Sequence, residues 1–78
     1  MISVSQIKAA RAMLGWSAAE LAKVSGVGQA TIRRYELQDG IPIASTKILM
    51  QLKVAFENEG IEFIGDPLKN PGVILHKK

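Results

Sequence analysis

Seventy-eight residues, 47% of them hydrophobic and 22% charged, describe one ordinary globular domain with a hydrophobic core near the lower limit of size. With no cysteine there is no disulfide, no thiolate metal site and no cysteine nucleophile, and the single histidine, His76, is read as an exposed tail residue that makes no metal cluster. The net charge is +3, and it is unevenly spread: residues 1–53 carry seven bases against three acids, residues 54–66 carry four acids and no base, and the last twelve carry three lysines and no acid. This suits an N-terminal part that binds a polyanion, followed by a segment that avoids one.

The start Met1-Ile2-Ser3-Val4-Ser5 lacks the basic and long apolar stretches of a secretory signal, and no apolar run is long enough to cross a bilayer. The expected location is the cytoplasm, with association to the nucleoid if the source is bacterial.

From Ser3 to Leu14, Val4, Ile7, Ala10 and Leu14 recur at helical spacing, and Gly15 ends the stretch. Ser17 followed three residues later by Glu20 fits a capping box for a second helix over about 18–24. Ser25-Gly26-Val27 stops that helix after barely two turns, with Gly26 suited to a left-handed helix end. Gly28 then serves as a weak N-cap for a third helix over Gln29 to Leu37. At 100° per residue, Gly28, Thr31, Ile32 and Tyr35 gather on one side; Gln29, Ala30, Arg33, Arg34 and Leu37 occupy the opposite arc.

Gln38-Asp39-Gly40-Ile41-Pro42 reads as a loop. Ala44 or Ser45 opens a fourth helix with a buried stripe of Ile48, Leu49, Leu52, Ala55 and Phe56, closed at Gly60. Ile61 to Ile64 then alternates like a strand, Gly65-Asp66-Pro67 and Asn70-Pro71-Gly72 mark turns, and Val73-Ile74-Leu75 is a second strand. The expected fold is mainly α, about four helices over residues 1–60, with a C-terminal β-hairpin over 61–78. Trp16, in the first helix junction, and Tyr35, on the inward arc, are read as core residues rather than stacking platforms.

Two short helices joined by a tight glycine-containing turn can place the second in a DNA major groove when its outer arc is polar. Arg offers a fork to guanine O6 and N7, Gln a matched donor and acceptor to adenine, and the Ala30 methyl a partner for thymine. Periodicity alone leaves the rival that this arc merely solvates a structural helix.

The stretch from Glu20 to Glu36, ELAKVSGVGQATIRRYE, resembles the Cro and phage-repressor type of helix-turn-helix, the XRE or lambda-repressor-like family, in the pattern E-L-A-x-x-(S/A)-G-V-x-x-x-T-I-x-R-x-E. Arg11 precedes it on the first helix. The resemblance covers residues 3–57 and implies a sequence-specific regulator of transcription, a repressor in the simplest case. The residues themselves offer no serine with a nearby histidine base, no phosphate-cradling glycine loop and no carboxylate pair at a plausible site, so neither catalysis nor a cofactor or metal is expected.

The resemblance also implies that Gln29, Ala30, Arg33 and Arg34 read bases, that Ser17, Ala18, Gly28, Thr31, Gly40 and Lys47 meet phosphates, and that Arg11 and Glu36 form a structural ion pair. Gly28 lacks the hydroxyl common at its position, Ala18 is too short for a polar base contact, and the stretch Glu36–Gly40 is longer than the family's usual Glu-x-Gly. Since a lone hairpin is barely stable, residues 61–78 are expected to pair two copies into a homodimer on a palindromic operator, or else to fold back on their own domain. The alternative function is an antitoxin-like or adaptor module that binds another protein through the apolar Val73-Ile74-Leu75.

Overall fold

The computed structural model describes residues 1–77; the part of the hairpin expectation that falls on Lys78 lies outside the described residues. Four helices, α1 (Val4–Leu14), α2 (Ala18–Ser25), α3 (Gln29–Glu36) and α4 (Thr46–Glu57), precede two strands, β1 (Ile61–Ile64) and β2 (Gly72–Leu75).

Three of the four helices, α1, α2 and α4, start where a serine side chain takes up an orphan N–H. Ser3, Ser17 and Ser45 sit in extended conformation and accept from the N–H groups of Gln6, Glu20 and Ile48. The capping box expected at Ser17 is half formed: Ser17 accepts from Glu20, but the Glu20 carboxylate does not return the bond. The complete box lies at α1, where Ser3 Oγ accepts from the Gln6 N–H and Gln6 Oε1 accepts from the Ser3 N–H. Glu20 is exposed, so water competes for its carboxylate, whereas Gln6 is 2% exposed and its amide must find protein partners.

The core gathers one side of every element: Ile7 and Ala10 from α1, Leu21 from α2, Ile32 and Tyr35 from α3, Leu52, Ala55 and Phe56 from α4, and Ile61 from β1, with Ile2 and Val27 from the connections. Ile48, expected within the α4 stripe, packs against this core only half-buried. Trp16 is likewise half-buried and lies over Phe56, ring centroids 5.8 Å apart, while Phe63 meets Phe56 edge-on at 5.9 Å. The three rings thus join the α1–α2 junction, α4 and β1 in one cluster, through one stacked and one edge-to-face pair, both arrangements that aromatic quadrupoles favour.

The strands pair antiparallel with Ile61 opposite Leu75 and Phe63 opposite Val73. These four share the inner face, because side chains alternate along a strand, and pack on the core; Glu62, Ile64 and Ile74 face out. The hairpin folds back on its own helices, β2 against α1 and β1 against α4. Of the apolar run Val73-Ile74-Leu75, only Ile74 is therefore an open side chain. Gln6 fixes the attachment: its Nε2 donates to the carbonyls of Ile64, 3.2 Å, and Gly72, 3.1 Å, at the neck of the turn. His76 is exposed as expected, but it extends the ladder, its N–H donating to Gly60 O and its Nε2 lying 2.6 Å from Glu62 Oε1.

Candidate nucleic-acid interface

The α2–turn–α3 unit owes its shape to Gly26. Its φ of 77° is in the left-handed region, and its N–H donates to Ala22 O, so the chain leaves α2 within one residue. The Val27 N–H donates to Ser25 Oγ and the Val27 side chain is buried, pinning the turn to the core. Gly28, in extended conformation with no side chain to cap, then starts α3. From the opposite side Gln51 of α4 donates through Nε2 to Ser25 O.

With Ile32 and Tyr35 of α3 buried, the opposite arc is fixed in solvent. Ala30, Arg33, Arg34 and Leu37 are exposed and Gln29 is half-buried. Neither arginine makes a salt bridge, so among the described residues both guanidinium groups are available to an external acceptor. Thr31 is half-buried and Gly28 exposed at the start of the helix. Ser17 and Ala18 hold the N-terminus of α2, where N–H groups converge and the helix dipole favours an anion. Lys47 is exposed in the first turn of α4, beside Val24 and Ser25 across the groove between α2 and α4. Gly40, with φ 69°, turns the loop after α3 and accepts the Val4 N–H on its carbonyl at 2.7 Å.

Arg11 and Glu36 meet in a two-point pair, Nε to Oε2 at 2.9 Å and Nη2 to Oε1 at 2.7 Å, while Nη1 donates to Trp16 O at 2.9 Å. The hydrogen bond to Glu36 raises the Arg11 pKa above its ordinary value, against the opposing pull of partial desolvation, and the carboxylate's charge adds to the rise. This pair ties α1 to the last residue of α3, so the outward arc is presented from both ends of a braced helix.

Three glutamines that the sequence pattern does not single out do the bracing. Gln6 holds the hairpin, Gln51 the helix-turn-helix turn, and Gln38 the loop, its Oε1 accepting the Ile43 N–H at 2.8 Å. Gln6 carries a usable signal, the Ser-x-x-Gln spacing of a capping box. The other two bond to backbone far along the chain or in a loop, where spacing carries no information.

Among the described residues no group of His, Asp or Glu could hold a metal ion, and no helix is long and apolar enough to cross a membrane. The chain has no match among curated proteins. The family model described as helix-turn-helix matches residues 7–52, more than half of the chain, from within α1 to Leu52 of α4. With the αL turn at Gly26 and four helices in this order, the chain belongs to the helix-turn-helix family of XRE and lambda-repressor type, a family of DNA-binding transcription regulators.

Proposed function

We propose that this chain is a sequence-specific regulator of transcription, acting as a repressor by occupying its operator, with α3 lying in the major groove. The observation that carries the reading is the outward arc of α3, where Ala30, Arg33 and Arg34 are exposed beside a half-buried Gln29 and, among the described residues, the arginines have no acidic partner. Gln29 and Ala30, at the helix start, reach base edges first; Arg34 takes a guanine and Arg33 a base or the neighbouring phosphate. Ser17, Ala18, Gly28, Thr31, Gly40 and Lys47 hold the flanking phosphates and set the register without reading sequence.

The regulator acts as a homodimer through residues 61–78. Support comes from the outer face of the hairpin, where Ile64 and Ile74 remain 38% and 39% exposed on a two-stranded sheet with open edges. A two-fold dimer would present two copies of α3 about 34 Å apart.

Selection of binding sites from random duplexes tests both parts. The expected product is an inverted repeat with half-sites one helical turn apart. Recovery of no common sequence would refute specific reading, and a monomer by light scattering at micromolar concentration would refute the dimer.

A further inference from the structure

The turn of the hairpin, residues 65–71, lies outside the segment that matches the family, yet the fold returns it to the loop that leaves α3. A methyl group added at Gly40 would stand 3.3 Å from Leu68 Cδ2, so the Leu68 side chain rests against the loop. Gly40 comes four residues after the last residue of α3. A helix laid in a groove about 12 Å wide has its ends beside the bordering sugar-phosphate strands, and whatever sits against the chain leaving that end is close to a backbone.

We propose that the hairpin tip, residues Asp66–Asn70, is an additional DNA-backbone contact, in which the Lys69 ammonium and the Asn70 carboxamide donate to phosphate oxygens next to the α3 half-site. The inference rests on the reading of α3 as the groove helix and adds a contact to it. The tip is built to hold these donors. Asp66 Oδ1 accepts the N–H groups of Leu68 and Lys69, the Asp66 N–H donates to Asn70 Oδ1, and the Asn70 N–H donates to Asp66 O at 3.1 Å. With Oδ1 of Asn70 engaged inward, its NH2 group is left for an outside acceptor. Lys69 is exposed and forms no ion pair among the described residues.

Charge along the hairpin points the same way. Glu57 ends α4, Glu59 lies in the turn that follows and Glu62 early in β1, at the far end of the strands from the tip. The one acid at the tip, Asp66, spends an oxygen on two backbone N–H groups. A four-residue strand spans about 13 Å, longer than the Debye length of about 8 Å at physiological salt, so the acidic end is screened from a backbone held at the tip. Gln6 keeps the distance fixed by gripping both strands at the neck.

The test is the salt dependence of duplex binding by the full chain, comparing wild type, Lys69→Ala, and Lys77→Ala, which removes the same charge at the opposite end of the hairpin. Both positions are exposed, and thermal melts confirm that each variant folds. Lys69→Ala is expected to reduce the slope of log K against log salt by about 0.9, with the same loss on selected and random sequences; Lys77→Ala is expected to leave the slope as in wild type. An unchanged slope in Lys69→Ala, or an equal fall in Lys77→Ala, overturns the tip contact while leaving the α3 reading intact. If the wild-type chain binds no duplex, the α3 reading fails and the tip contact fails with it.

Discussion

Removing one partner of the Arg11–Glu36 pair should cost unequal amounts depending on which is removed. Arg11→Met leaves a carboxylate whose side chain is 11% exposed, and it also orphans Trp16 O; Glu36→Gln leaves a guanidinium that is 25% exposed, still bonded to Trp16 O and able to reach water. Orphaning a fully buried charge costs about 3–5 kcal/mol, and an exposed pair is worth about 0–1 kcal/mol. These exposures lie between the limits, so Arg11→Met should destabilise by about 2–3 kcal/mol and Glu36→Gln by about 1 kcal/mol. With a urea m-value of about 1 kcal/mol/M for so small a domain, the midpoints fall by about 2–3 M and 1 M at unchanged m.

The double mutant should recover part of the loss, with a coupling of about 1–2 kcal/mol. Because the pair is mostly shielded, 1 M salt should reduce that coupling only slightly, although the Debye length there is about 3 Å. Equal costs for the two single mutants, or a coupling that vanishes in salt, would refute the view that differential burial governs the pair. Arg11's pKa is raised, so its contribution is fully present below the ordinary arginine value and is lost only in strong alkali, as pH rises through the still higher folded value; Arg11 titration therefore adds no slope to stability across pH 6–9.

Arg34→Ala should cost about 1–3 kcal/mol of binding and relax preference at one base pair, whereas Lys47→Ala should weaken all duplexes alike and flatten the salt slope by about one; equal losses on selected and random DNA for both would overturn the division of roles. Gln6→Ala removes three hydrogen bonds and strands the Ile64 and Gly72 carbonyls, and should destabilise by about 2–3 kcal/mol, with amide exchange accelerated first in β1 and β2. Gly60→Ala should be the worse of two alanine substitutions at positive φ. Its Cβ would stand 2.6 Å from His76 O, whereas at Gly15 there is nothing within 4 Å. Calorimetry should show about 1 kcal/mol lost at Gly15 and clearly more at Gly60.

The helices were legible because their ends are written in residue types. Ser3, Ser17 and Ser45 can cap only where a helix begins, and Gly15 and Gly26 permit left-handed ends. The outward arc of α3 followed from the 100° period once Ile32 and Tyr35 were given to the core. The packing of β2 was not legible: alternation in Val73-Ile74-Leu75 identifies a strand, but which helix it meets depends on contacts with residues some sixty positions earlier. Glu20 shows the converse limit. Its spacing from Ser17 is right for a capping box, yet solvent exposure decides whether the second bond forms.

The link from Gln6 to Gly72 spans 66 positions and ties the first turn of α1 to the start of β2. During synthesis, α2 and α3 emerge well before the strands that wall one side of α1. Residues 1–57 alone lack Ile61, Phe63, Val73 and Leu75 against the core, so the nascent helices are expected to remain labile until β2 docks, and the fixed presentation of the outward arc of α3 should arrive in a single step with it.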